Sequence, residues 1–341
     1  MVSGEVSAMG CRLAIAGVTG AVGQEFLRTL QKREFPFDSL RLLASSRSAG
    51  KKIEFKNKEY IIEELTEKTF VDIDIALFSA GGARSKQFAP AAVEAGAVVV
   101  DNSSAFRMDP QVPLVIPEIN PQKIKEHKGI IANPNCSTII GIVPVWPLHK
   151  ANPVKRMVVS TYQAASGAGY SAMLELENQS REILAGKEPT IKAFPYQIAF
   201  NAFSHNSALG PNGYNEEETK MVKETRKIFD CPTIAITCTC IRIPVFRAHC
   251  ESINLEFTDP ITPQQVRDLL STAPGVQVLD DAEHNRFPMP LDATSRDEIF
   301  VGRIRQDESI PENRGINIWV AGDQLLKGAA LNAVQIAEYL L

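Results

Sequence analysis

The stretch Arg12-Leu13-Ala14-Ile15-Ala16-Gly17-Val18-Thr19-Gly20-Ala21-Val22-Gly23 decides the fold. Its first half is a short apolar run stopped by glycine, and a helical pattern follows from Val22 to Lys32. The reading is strand, tight turn, helix. Three glycines at GxxGxxG spacing stand on the turn, where backbone can come close to a pyrophosphate. Open amides and the helix dipole favour negative charge at the same place. The spacing alone also suits a plain glycine-rich turn. Its position at the head of an alternating pattern makes Gly17, Thr19, Gly20, Ala21, Val22 and Gly23 candidate cofactor contacts.

That pattern continues with strands at Leu40–Ala44, Ile73–Ser79 and Ala97–Asp101 and with helical stretches such as Lys86–Ala95. Alternation of this kind predicts an α/β fold whose first domain is a Rossmann-type, doubly wound parallel sheet. After about Cys136 the strands lengthen, at Met157–Gln163, Ile234–Arg242, Ser252–Phe257, Ile299–Arg305 and Ile316–Ala321. They predict a second α+β domain with a mixed, largely antiparallel sheet. Two helices stand out within it, Tyr170–Leu184 and Glu216–Phe229, the latter with Asn215 and Glu218 at capping-box spacing. The closing run Leu325–Leu341 carries an apolar stripe and is expected to return to the first domain. The division is thus 1–135 plus 325–341 for the cofactor domain and 136–324 for a catalytic and dimerisation domain.

A chain of 341 residues suits two domains, given roughly 100 to 200 residues for each. With 44% hydrophobic and 22% charged residues and a net charge of -4, it offers no field to hold a polyanion. Nucleic acid is therefore not expected as a partner. The six cysteines, at 11, 136, 231, 238, 240 and 250, form neither a disulfide framework nor paired CxxC zinc units. A reducing compartment and no metal are expected. No run approaches the ~18 apolar residues of a membrane span, and Met1–Cys11 is too weakly apolar for a signal peptide. The cytoplasm is the expected location, or the plastid stroma if a transit peptide has been removed.

Beyond the second strand the chain reads Ala44-Ser45-Ser46-Arg47-Ser48. An acid that would bind a ribose 2′-hydroxyl is missing, whereas Arg47 with Ser45 and Ser48 could hold a 2′-phosphate. NADP(H) is the expected cofactor, although a single Arg on a loop is usually just solvated. Further on, Asn133-Pro134-Asn135-Cys136-Ser137-Thr138 precedes the apolar run Ile139–Val143. Cys136 would start a helix, where the dipole favours thiolate. Amides of that turn, with Asn135, could form an oxyanion hole. Taken alone, a cysteine in such a place is more often a small buried hydrophobe. A nucleophilic cysteine needs a proton partner, and five histidines are available, at 127, 149, 205, 249 and 284.

The block Asn133–Thr138 resembles the nucleophile motif of aspartate-semialdehyde dehydrogenases of plant and bacterial type. So do Gln163-Ala164-Ala165-Ser166-Gly167-Ala168-Gly169 and Arg242-Ile243-Pro244-Val245-Phe246-Arg247-Ala248-His249. With the glycine-rich turn, these blocks span the chain nearly end to end. The resemblance implies a glyceraldehyde-3-phosphate dehydrogenase-like fold and NADPH-dependent reductive dephosphorylation of L-aspartyl 4-phosphate to L-aspartate 4-semialdehyde. It makes Cys136 the covalent nucleophile. His249, after a strand ending near Val245, becomes acid in reduction and base in the reverse direction, and Gln163 orients the substrate. It further implies that Arg107 and Lys220 hold phosphate, that Arg242 takes the substrate carboxylate and that Glu217 takes its ammonium. Ser166, Gly167 and Gln324 match cofactor contacts, though many relatives carry Asn at the last position. By spacing alone, Glu217 and Lys220 read rather as a solvated i,i+3 pair on a helix buried through Met221, Val222, Thr225, Ile228 and Phe229. The family suggests a homodimer, with a tetramer possible.

Three other readings compete. N-acetyl-γ-glutamyl-phosphate reductases normally place Gly before the cysteine and an aromatic after it, against Asn135 and Ser137 here. Glyceraldehyde-3-phosphate dehydrogenases read Ser-Cys-Thr-Thr-Asn at that block. A silent dinucleotide-binding regulator would have no need of Cys136, His249 and the anion holders together.

Overall fold

The structure, a computed structural model, describes residues 10–341, so most of the Met1–Cys11 reading lies outside the described residues. The chain divides into two compact units. The first holds the described residues up to Pro117, Pro121–Asn133 and Ala330–Leu341; the second holds Glu118–Asn120 and Pro134–Ala329. The six cysteines are all free thiols.

In the first unit the order is β1 (Cys11–Ala16), α1 (Ala21–Lys32), β2 (Phe37–Ala44), β3 (Lys52–Phe55), β4 (Lys58–Ile61), β5 (Glu63–Glu64), β6 (Ile75–Phe78), α2 (Gly82–Glu94), β7 (Val98–Asp101) and β8 (Ile130–Ala132). Six strands form a sheet in the order β5-β2-β1-β6-β7-β8, every neighbouring pair parallel; β3 and β4 form a separate hairpin. A parallel sheet is covered on both faces, which is why β6 is apolar and buried at every position rather than alternating. The chain order reverses at β1, which has β2 on one side and β6 on the other. In open α/β sheets such a switch point puts the ligand crevice at the carboxyl ends of the strands, here at Gly17 and at the turn after Ala44. Gly17 has φ +91°, and a Cβ on it would lie 2.3 Å from the Ser79 carbonyl oxygen. A Cβ on Gly23 would lie 2.3 Å from Gly17 O. Both glycines are therefore demanded by close backbone approach.

Helix α2 begins at Gly82, earlier than the expected Lys86, because Gly81 at φ +86° turns the chain into it. The C-terminal segment also differs from expectation. Instead of one helix from Leu325, a π-helical turn at Leu326–Ala330 precedes an α-helix at Leu331–Glu338. The Asp323 carboxylate accepts from the Leu325 and Leu326 amides, and Gly328 N–H donates to Asp323 O five residues back, which widens the turn. Only the α-helical part joins the first unit, where Ala333, Val334, Ile336 and Ala337 enter a core with Leu13, Ile15, Phe26 and Leu30. Arg33 and Glu338 pair at its rim, 2.5 Å apart.

The second unit runs α3 (Cys136–Ala151), β9 (Val154–Gln163), α4 (Tyr170–Leu184), β10 (Phe203–Ser204), α5 (Glu216–Phe229), β11 (Ala235–Arg242), β12 (His249–Phe257), α6 (Pro263–Ser271), β13 (Val276–Val278), α7 (Pro290–Ala293), β14 (Ile299–Gln306) and β15 (Gly315–Gly322). Its sheet has the order β10-β11-β9-β12-β15-β14-β13. The β11–β9 and β13–β14 pairs are parallel and the rest antiparallel, a mixed and largely antiparallel sheet. His249 does not trail a strand ending near Val245. β11 stops at Arg242, before Pro244 and a half-exposed loop, and His249 opens β12.

Register places the chemistry. Arg242 pairs with Gln163 across β11 and β9, and the Cys250–Tyr162 pairing brings His249 level with Gln163 on β12. Two residues further along, on the same face, Thr161 is flanked by Cys240 on one side and Glu251 on the other, all fully buried. Helix α3 crosses this face. Its Gly141 leaves room for Glu251, whose Oε2 would lie 2.4 Å from a Cβ there.

Candidate active site

Asn135 organises the start of α3. Its Oδ1 accepts from the amides of Ser137 at 3.0 Å and Thr138 at 3.2 Å, a regular N-cap. Those two amides of the turn are thereby occupied by the cap. Asn135 Nδ2 donates to Glu217 Oε1 at 2.8 Å, and its backbone N–H donates to Glu224 Oε2 at 2.7 Å. Cys136 follows at the first helical position, half-buried, with Sγ 3.7 Å from His249 Nε2.

His249 is completely buried. Its Nδ1 accepts from the Ala164 N–H at 3.0 Å. The neutral ring therefore carries its proton on Nε2, directed at the sulfur. Burial, reinforced by the Arg242 cation, pushes the His249 pKa down to about 3. A protonated ring would also set Nδ1–H against the Ala164 N–H. His249 is a neutral hydrogen-bond donor across the ordinary pH range.

Around this pair stand the other expected side chains of the second unit. Gln163 Nε2 donates to Ser137 Oγ and, at 3.1 Å, to Glu217 Oε1. Arg242 is 3% exposed and donates through Nη1 to the Ala164 carbonyl at 2.8 Å, with Phe194 stacked 5.5 Å away. Glu217 is 5% exposed, so the solvated-pair reading of Glu217 and Lys220 does not hold. Burial pushes the Glu217 carboxyl up. Lys220, at 3.2 Å, together with His205 and the bonds from Asn135 and Gln163, outweighs it and holds the pKa at about 2. Gln163 Oε1 and Arg242 Nε are buried without a partner among the described residues. They are an acceptor and a donor beside a carboxylate and a guanidinium, polar capacity suited to a small zwitterion.

Gly167 lies over the same spot. A Cβ there would be 3.1 Å from both Arg242 Nη1 and His249 Nε2, so only glycine keeps that space open. Ser166 Oγ is held by Gln324 Nε2, and Gln324 Oε1 accepts from the Ala248 N–H at 2.9 Å. The surroundings of the site are thus tied together by Gln324.

In the first unit, α1 starts at Ala21 after Gly20, with no side-chain cap and no acid in its first turn, leaving its N-terminus open to an anion. Arg47 is exposed on the turn after β2, beside half-buried Ser45 and Ser48. Arg107 is buried; its Nε donates to Asn133 O at 2.9 Å and its Nη2 to Asn102 O at 3.1 Å. The loop that carries it is fixed by Asp101, which accepts from Ser85 Oγ at 2.7 Å and from the Ser103 amide and hydroxyl.

Sequence reasoning did not single out Glu224, Ala164 or His205. Ala164 acts through its backbone, which no side-chain pattern reveals. His205 was one histidine among five; it faces Glu217, Arg242 and Lys220, and burial pushes its pKa down to about 4.

Comparison with known proteins bears on the chain from both ends. A family model described as the semialdehyde dehydrogenase NAD-binding domain matches residues 12–127, and one described as the dimerisation domain matches residues 145–327. An aspartate-semialdehyde dehydrogenase of Synechocystis sp. is 55% identical over 330 residues, 97% of either chain. The chain belongs to the aspartate-semialdehyde dehydrogenase family. A crystal structure of aspartate semialdehyde dehydrogenase II from Vibrio cholerae complexed with ASA superposes with a TM-score of 0.94 at 46% identity, covering 98% of each chain. The Candida albicans enzyme with NADP does so with a TM-score of 0.75 at 25% identity, covering 97% of this chain and 98% of that one. As a member of this family, the chain is an oxidoreductase with a nicotinamide-binding domain and a dimerisation domain. Among its described residues no helix is long and apolar enough to cross a membrane.

Proposed function

We propose that the chain performs the NADPH-dependent reductive dephosphorylation of L-aspartyl 4-phosphate to L-aspartate 4-semialdehyde and phosphate, in lysine, threonine and methionine biosynthesis. The observation that carries the mechanism is Cys136 Sγ against His249 Nε2 at the head of α3, beside the buried Glu217 and Arg242. Arg242 takes the substrate α-carboxylate, Glu217 the α-ammonium, and Gln163 orients the acyl group. Lys220 and Arg107 hold phosphate.

The Cys136 thiolate attacks the acyl carbon, the carbon–oxygen bond to phosphate breaks, and phosphate leaves a thioester behind. Gly17–Gly23 of the first unit, and Ser166, Gly167 and Gln324 of the second, are the residues that would hold a reduced nicotinamide, which would supply hydride to the thioester. The resulting oxyanion expels the Cys136 thiolate as it collapses to the aldehyde. No step requires a proton to leave His249. Its Nε2–H donates to the developing oxyanion and then to the returning thiolate, which replaces the acid–base role expected from the sequence. Arg47, with Ser45 and Ser48, receives the 2′-phosphate that sets NADP apart from NAD.

Reduction of NADP by L-aspartate 4-semialdehyde, with and without inorganic phosphate, tests the reading. N-acetylglutamate 5-semialdehyde and glyceraldehyde 3-phosphate serve as rivals, and NAD is run in parallel. The expected result is phosphate-dependent turnover on the first substrate, faster with NADP. Preference for a rival would remove the roles given to Glu217 and Arg242.

The second unit also exposes large apolar side chains at Tyr170, Leu184, Tyr196, Phe200 and Leu209. They supply the surface for a homodimer through the matched dimerisation domain. Sedimentation at micromolar concentration should give twice 37.4 kDa; a monomer would remove this assignment.

A further inference from the structure

Besides Glu218, which closes the capping box with Asn215, the buried face of α5 carries a carboxylate that the proposed chemistry does not use. Glu217 and Glu224 are two helical turns apart on one side, with Met221 between them, and Glu224 is 1% exposed. That stripe is where an amphipathic helix places apolar residues, and a carboxylate there is costly unless hydrogen bonds compensate it. Glu224 Oε2 accepts from the Asn135 backbone N–H at 2.7 Å, in the length range of a charge-assisted bond. Glu217 grips the same residue through its side-chain amide at 2.8 Å.

We infer that Glu224 is a positioning residue for the nucleophile: with Glu217 it clamps Asn135 from both ends and so fixes Cys136, the next residue. Asn135 has no slack. Its N–H is held by Glu224, its Nδ2 by Glu217, and its Oδ1 caps the Ser137 and Thr138 amides. The peptide leading into Cys136 is therefore anchored to α5, and the sulfur inherits its place beside His249 from that anchor. Its distance from Gln163 Nε2, which shares Glu217 Oε1 with Asn135, is fixed by the same bonds. The inference rests on Cys136 being the nucleophile.

Three substitutions separate geometry from charge. Glu224→Ala removes the acceptor. Glu224→Gln keeps a full-length acceptor without charge, and Glu224→Asp keeps the charge but withdraws it by one methylene. For each, kcat and KM are measured alongside the pH dependence of Cys136 alkylation by iodoacetamide and the melting temperature. A displacement of the sulfur by an ångström costs about 100-fold in rate. Ala and Asp should therefore lose about 10- to 100-fold in kcat with KM within about threefold, and alkylate Cys136 with an altered pH profile. Gln should stay within about fivefold of the parent. Should Ala fail to fold, the ranking of Gln above Asp decides. Wild-type kcat and alkylation in Ala or Asp would overturn the clamp, as would losses that merely follow melting temperature across all three. An unmodified protein in which Cys136 resists iodoacetamide and turnover survives the reagent would instead overturn the nucleophile assignment.

Discussion

Cys136→Ser should leave the fold intact and lower kcat by at least about 10⁴-fold. The hydroxyl is a far weaker nucleophile than a thiolate, and nothing in the site would deprotonate it. His249 presents Nε2–H rather than a lone pair to the position of the sulfur, because Ala164 N–H occupies Nδ1. The thiol needs no such help, since sulfur is intrinsically the stronger nucleophile and a helix N-terminus favours its ionised form. Single-turnover mixing of the parent protein with acyl phosphate, quenched in acid, should trap one acyl group per chain. The serine variant should trap none on the same timescale. Equal turnover in the two proteins would show that no covalent step occurs at residue 136.

His249→Ala should cost about 10² to 10³ in kcat, the loss of one donor to an oxyanion. The pH profile is more telling than the magnitude. With its pKa near 3 against 6.5 for a free imidazole, His249 stays neutral through the working range. The kcat/KM profile of the parent should therefore show no inflection near 6.5 that vanishes in the variant. Stability carries the complementary signature. Between pH 6.5 and about 3 the unfolded chain binds a proton at this position that the folded chain refuses. Folding stability contributed by His249 is present above pH 6.5 and is lost on acidification, by about 1.4 kcal/mol per pH unit. His249→Gln should flatten that slope by one proton. A variant that abolished an acid limb near 6.5 in the activity profile would establish general-base chemistry instead.

Much of this arrangement was readable from residue order. The turn at Gly17–Gly23 and the capped helix at Asn215 carry local signals strong enough to survive any tertiary context, and α4 and α5 fall where their periodicity puts them. Cys136 stood out by its place at a helix start, whereas His249 came from block resemblance; by chemistry alone one histidine in five had no priority. What stayed hidden is what depends on partners far along the chain. Glu224 reads as one more surface charge in Glu216–Phe229 until Asn135 is placed 2.7 Å away. Glu251 sits in an alternating strand at an inward position, where composition favours an apolar residue. Burial, with Cys240 and Glu217 nearby, pushes its carboxyl well up, and both oxygens lack partners among the described residues. Ala164 acts through its amide, and the π-turn at Leu326–Ala330 arises from Asp323 rather than from any weakness in helix propensity.

Arg242, Gln163 and His249 come from three separate strands and reach one face only because β11, β9 and β12 hold a single alignment. Sliding any of these strands by one residue would turn its contribution to the opposite face while leaving the ladder of backbone bonds intact. The enzyme therefore carries its own gauge of assembly. In a renatured sample, spectroscopic strand content would count every paired strand, whereas specific activity would count only molecules in which both long-range pairings, β11 with β9 and β9 with β12, were chosen correctly.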